Sequence, residues 1–154
     1  MGVRSMTDGR PAHLQWKHLG LVAVGGVLGT ALRELVSLVI PAVDGVPVAI
    51  FAINILGAFA LGVLLEALVR SGPDEGRLRL LRLFIGTGVL GGFTTYSALA
   101  TDTSLLVASD RVAAALTYSL ATIIVGALAT WAGVAMAATL HRRRAQSRGE
   151  GAAR

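Results

Sequence analysis

Cysteine is absent from this chain, which excludes disulfides, thiolate chemistry and cysteine-based metal sites together. A glycine-lysine phosphate loop and a dinucleotide fingerprint are missing too, so nothing in the sequence speaks for a nucleotide. No serine, histidine and aspartate form a defensible hydrolytic arrangement, and no second carboxylate stands at a spacing that would make an acid and base pair with Glu66. Enzymatic activity is therefore not expected. Aromatic residues make up only 5% of the chain, and none interleaves the arginine run near its end, so nucleic acid is not an expected partner.

What is present is apolar. Hydrophobic residues make up 54% of 154, with a mean hydropathy of +0.68, against about 45–50% in an ordinary soluble domain. They fall in four long blocks, which defines an all-α membrane protein with four transmembrane helices. The expected helices cover about Leu19 to Ile40, Val48 to Val69, Leu83 to Val107 and Val112 to Leu140. Before them lies a polar segment, 1–18, in which Met6 is an alternative start and Trp16 and His18 are interfacial anchors without chemistry. The four helices form one channel-sized domain, 19–140, and a basic tail, 141–154, expected to be mobile, follows. The first apolar run is too long for the core of a cleaved signal and is read as a retained helix.

The stretch around which the chain is organised is Gly86 to Leu99, in the middle of the third block. Gly86, Gly88, Gly91 and Gly92 are interleaved there with Thr87, Thr94, Thr95, Tyr96 and Ser97, none of which a plain lipid-facing helix needs. A glycine pair weakens a helix. In hydrocarbon, any carbonyl released by a break must find an internal partner, an ion or water. The third helix is therefore expected to be broken at Gly91-Gly92, the alternative being close packing through small residues.

Polar residues elsewhere divide between packing and path. Gly25 and Gly29 have the spacing of helix contacts. Arg33 and Glu34 interrupt the first helix, and Arg33 either snorkels or draws an anion into a vestibule. Asn54 either clamps a neighbouring helix or presents its amide N–H to a solute. Tyr118 and Thr122 share one face of the fourth helix, where they can form a hydroxyl track beside the third. Ser109 or Asp110 is expected to cap that fourth helix. Arg70 to Arg82 is expected to be a hydrophilic connection.

Four crossings put both termini and the second connection on one side. That side collects twelve of the fourteen basic residues and leaves Arg33 and Arg111 for the other. The bias predicts a multi-pass protein of the cell membrane with both termini cytoplasmic, the Arg142-Arg143-Arg144 run sitting at an anionic leaflet. A broken third helix cannot face lipid, so a second subunit is expected against it.

Gly25-Gly26-Val27-Leu28-Gly29-Thr30-Ala31-Leu32-Arg33, Asn54-Ile55-Leu56-Gly57, Gly91-Gly92-Phe93-Thr94-Thr95-Tyr96-Ser97 and Tyr118, in this order, resemble the Fluc or CrcB family of small bacterial fluoride channels. The resemblance spans roughly Leu19 to Leu140 and implies an antiparallel dimer of four-helix subunits with two fluoride paths. It further implies a structural Na+ at the dimer centre, held by the backbone carbonyls of Gly91 and Thr94. The ion path would take in Arg33, Asn54, Thr95, Tyr96, Ser97, Leu99, Tyr118 and Thr122.

One departure stands out. Family members usually carry phenylalanines where this chain has Tyr96 and Leu99, and an aromatic edge favours an anion where leucine has none. With the strong charge bias, this points to one half of a heterodimeric pair of opposite orientation, as an alternative to a homodimer. Two rival functions remain: a non-conducting structural or regulatory membrane subunit, and a proton-coupled small-solute exporter using Glu34, Glu66 or Asp102.

Overall fold

A computed structural model describes residues 15–152 of the chain; most of the polar N-terminal segment, with Arg4, Arg10 and Met6, and Arg154 at the other end lie outside it. Four helices among the described residues are long and apolar enough to cross a membrane: Trp16–Val39, Val48–Ser71, Gly76–Ala108 and Val112–Arg144. Large apolar side chains such as Leu28, Leu56, Leu120 and Leu128 are more than half exposed on their outer faces, the arrangement that hydrocarbon requires and water penalises. The chain is thus a multi-pass, all-α membrane protein.

The first helix (Trp16–Val39) begins at the two expected anchors, Trp16 and His18, rather than after them. Between it and the second helix (Val48–Ser71) lies a tight turn. Asp44 (φ 49°) and Gly45 (φ 73°) are both left-handed, and Val43 and Val46 exchange two backbone hydrogen bonds of 3.0 and 2.8 Å across them. Such a mirror-image turn uses the residues that best tolerate positive φ. Arg111, from the other connection on this side, donates from Nη1 to the Asp44 carbonyl at 2.6 Å and ties the two connections together.

The connection expected over Arg70 to Arg82 shrinks to residues 72–75, because the third crossing already starts at Gly76. Its charged residues mark a first helical turn that folds back on the loop. Arg82 donates to both carboxylate oxygens of Asp74, at 2.9 and 2.8 Å, and Arg79 donates to the Asp74 carbonyl at 2.9 Å. The hydrogen bond from Arg82 holds the Asp74 carboxyl below the usual carboxylate range.

The third crossing has two arms. The leading arm covers residues 76–93 and changes register on the way: Gly76–Leu81 is α-helical, Arg82–Leu90 is π-helical and Gly91–Phe93 is α-helical again. The trailing arm is Tyr96–Ala108. Ser109 ends the trailing arm instead of capping the fourth helix, since its Oγ donates back to the carbonyls of Leu105 and Leu106. The fourth helix (Val112–Ala152) runs on through the segment expected to be a mobile tail.

Glycines build two close helix pairs. A methyl group on Gly25 would lie 2.6 Å from the Phe84 carbonyl oxygen, one on Gly29 would collide with the Val89 carbonyl, and one on Gly92 with that of Gly26. The first helix and the leading arm therefore touch backbone to backbone, as the Gly25/Gly29 spacing predicts. Likewise Gly62 abuts the Thr130 carbonyl and Gly133 the Phe59 carbonyl, which pairs the second helix with the fourth. Ile53, fully buried, sits on the second helix one residue before Asn54.

Candidate functional site

The break falls at Thr94-Thr95, not at Gly91-Gly92. Gly91 keeps helical angles (φ −64°, ψ −37°), and the glycines serve the contact with the first helix. Thr94 (φ −76°, ψ 154°) and Thr95 (φ −151°, ψ 117°) are extended instead. Their conformation is fixed from the second helix. Asn54 Oδ1 accepts from the Thr95 N–H at 2.8 Å, and Asn54 Nδ2 donates to the Thr95 carbonyl at 3.0 Å. A side-chain amide can accept from a peptide N–H and donate to the C=O of the same residue at once, and the pairing also fixes which end of the amide is oxygen. Of the two roles open to Asn54, the structure shows the clamp, and one N–H of the amide remains outside it.

This clamp explains the released carbonyls. Thr95 N–H would have closed the next helical turn onto Gly91, and Ala98 N–H would have bonded Thr94. The first goes to Asn54 and the second to Thr95 Oγ1, at 3.1 Å, which makes Thr95 the N-cap of the trailing arm. The carbonyls of Gly91 and Thr94 are thus left without their helical donors, and Gly91 is exposed on the surface of the subunit. Oxygen ligands of this kind suit a hard cation, so the residues present fit the Na+ that the resemblance assigns. Among the described residues no group of three histidines or carboxylates offers an alternative.

A groove of about 300 Å³ opens beside the break, lined by Asn54, Thr94, Thr95, Tyr96, Leu99 and Thr122 among others. Five of the eight residues assigned to the ion path therefore come together. Ser97 stays close through a 3.1 Å bond between its Oγ and that of Thr95. Two do not join them. Arg33 lies on the first helix beside Glu34, with Nε 3.4 Å from the carboxylate. Tyr118 lines a different, apolar cavity of about 460 Å³ with Val46, Phe51 and Thr117. Its hydroxyl donates to Asp102 Oδ2 at 3.3 Å, a contact between trailing arm and fourth helix that sequence reading missed. The signal was the charge itself, since a carboxylate in an apolar segment needs a partner.

Proton accounting narrows what the groove can offer. Thr94 Oγ1 donates to the Leu90 carbonyl at 2.9 Å, and Thr122 Oγ1 donates to the Tyr118 carbonyl at 2.7 Å. Those protons are committed to backbone. Left for a solute are the second N–H of Asn54, one proton of the Thr95–Ser97 hydroxyl pair and the hydroxyl of Tyr96, whose side chain is 79% exposed. Leu99, 6% exposed, contributes only an apolar wall. An array of donors without a facing carboxylate is chemistry for an anion.

Comparison with known proteins agrees with this chemistry. The family described as CrcB-like protein, Camphor Resistance (CrcB), matches residues 20–134. A protein of Leifsonia xyli subsp. xyli named fluoride-specific ion channel FluC 2 is 53% identical over 137 residues, 89% of this chain and 94% of its own. Fluoride-specific ion channel FluC 1 of Cutibacterium acnes is 48% identical over 118 residues, 76% of this chain and 82% of its own. One of the same name from Streptomyces coelicolor is 36% identical over 132 residues, 84% of both chains. With the match covering all four crossings, the chain belongs to the CrcB family.

Proposed function

We propose that this chain is a subunit of a passive, fluoride-selective channel that lets fluoride leave the cytoplasm. The observation that carries this reading is the groove at the helix break, where a half-buried clamp holds donors but no opposing carboxylate. The names of the relatives support the choice of ion. Fluoride is small and strongly hydrated, so a path must replace its water with N–H and O–H donors and yet bind weakly enough to release it. Asn54, Thr95, Ser97 and Tyr96 supply those donors, while Arg33, at the end of the first helix away from both termini, raises the local anion concentration.

A second subunit completes the path. Tyr96 projects out of the subunit, so it can line a conduit only where another chain supplies the opposite wall. The exposed Gly91 at membrane depth requires the same cover. An antiparallel arrangement brings two such breaks face to face, and Na+ bound by the Gly91 and Thr94 carbonyls would supply positive charge at their junction. Leu99 and the charge bias favour a non-identical partner, and the numbered names of the relatives fit a second such chain.

Fluoride efflux from sodium-loaded liposomes, with chloride as control, tests the reading. Fluoride-selective efflux that persists without a proton gradient is expected, either alone or together with an oppositely inserted homologue. Full flux from this chain alone would remove the need for a pair. Flux driven only by a proton gradient and abolished in Asp102→Asn would replace the channel with an exporter, and a folded pair without flux would leave a structural subunit.

A further inference from the structure

At the end of the molecule away from both termini, a cavity of about 340 Å³ opens between the turn after the first helix, the trailing arm and the start of the fourth helix. Its walls hold two charges of opposite sign, Asp102 and Arg111. Asp102 lies on the trailing arm about one helical turn beyond Leu99, a wall of the ion groove. One of its oxygens accepts from Tyr118, and no cation pairs with it among the described residues. An anion moving along the trailing arm from the groove toward this end meets a carboxylate at membrane depth.

Arg111 is held on the cavity by the local fold. Asp110, left-handed at φ 58°, ends the trailing arm in a cap in which the Arg111 N–H reaches the Leu106 carbonyl at 2.9 Å. The Asp44 carbonyl accepts from Nη1 at 2.6 Å, and a methyl group on Gly45 would lie 2.7 Å from that same nitrogen. Nε and Nη2 lie outside this bond, and no carboxylate pairs with the guanidinium among the described residues. Arg33, the other arginine at this end, has Glu34 beside it. The remaining carboxylates here, Asp44 and Asp110, are exposed, where water and salt screen them.

We infer that this cavity is the vestibule of the ion path at this end, and that Arg111 offsets the field of Asp102 there so that an anion can pass. The inference rests on the channel reading above. A cavity of this size is about one Debye length across, ~8 Å, so both charges act on the same solute. Arg111 acts through its charge, and its effect follows sign and salt more than shape.

Fluoride efflux from sodium-loaded liposomes, in whichever preparation conducts, tests the inference. Arg111→Gln should slow efflux about fivefold at an ionic strength of about 0.01 M. With sodium gluconate on both sides at about 1 M, where the Debye length is ~3 Å, the loss should shrink below about twofold. Arg111→Lys keeps the charge and should stay within about twofold of wild type, and Asp102→Asn added to Arg111→Gln should restore efflux to the same range. Equal slowing in Arg111→Gln and Arg111→Lys, slowing that salt leaves unchanged, or no recovery on removing the carboxylate would each overturn it while wild type still conducts. A wild type without flux would remove the channel reading and this inference together.

Discussion

The two arms of the third crossing share one apolar block, yet they are built in opposite ways. The leading arm is faced with glycine and lies backbone against backbone on the first helix, with Gly29 against Val89 and Gly92 against Gly26. The trailing arm carries Tyr96, Ser97, Thr101, Asp102, Thr103 and Ser104, and is held by side chains: the Thr95 cap, the Asn54 clamp and the Tyr118 hydroxyl. Rigid contact leaves no room for adjustment, whereas hydrogen-bonded side chains can turn. The leading arm fixes where the break lies, and the trailing arm supplies the groups that meet a solute.

The strongest way to break this contrast is to add bulk to the leading side. Gly29→Leu places a side chain where even a methyl would meet the Val89 carbonyl and come within 2.8 Å of the Phe93 nitrogen. Overpacking against backbone should cost about 3 kcal/mol or more, read as loss of a monodisperse species in detergent and a lower unfolding midpoint. Gly20→Ala, with nothing within 4 Å, should leave both unchanged.

Next comes the clamp. Asn54→Leu removes two hydrogen bonds at once and strands the Thr95 N–H and C=O inside the protein, which should cost about 2–4 kcal/mol. Fluoride efflux should fall at least roughly tenfold with it. A variant that loses this stability but conducts normally would show that the clamp is scaffolding alone.

Two threonines that line one groove should then behave differently. Thr95→Val deletes a cap worth about 1 kcal/mol and a hydroxyl with a proton to give, so efflux should drop roughly tenfold. Thr122→Val deletes a hydroxyl whose proton already goes to the Tyr118 carbonyl, and efflux should change less than about threefold. Equal effects would mean that Thr122 turns toward the groove during conduction.

The smallest effect is electrostatic. Asp74 is held below its ordinary value of 3.8 by the Arg82 hydrogen bond, so its contribution is present above the unfolded value and fades as pH falls through the lower folded one. The unfolding midpoint should thus show no step from this pair between about pH 5 and 8 in wild type relative to Asp74→Asn. Any difference should shrink only below about pH 4.

Much of this was legible in the sequence, for reasons that vary with distance along the chain. The four crossings are local runs of apolar residues, and the Gly25/Gly29 contact is a local spacing, so both could be read directly. Gly91-Gly92 pointed to the right region but the wrong residues: glycine marks either weakness or close approach, and here it is approach. The real break depends on Asn54, 41 positions earlier, and the Tyr118–Asp102 bond spans 16. No local pattern encodes such pairings. The start of the third crossing was missed because arginines at a membrane boundary read as loop whether they flank a helix or begin it.

The π-helical stretch from Arg82 to Leu90 has a further meaning for how this crossing is spelled. Each π hydrogen bond closes over one more residue than an α one. Side chains on either side of it are therefore out of phase with a single helical repeat, and a fixed periodicity cannot follow the buried face through the arm. The same slack works as a vernier. A one-residue deletion between Leu83 and Val89 can be absorbed by a return to α register, with Thr94 and Thr95 still opposite Asn54, whereas the same deletion after Gly91 has no such reserve.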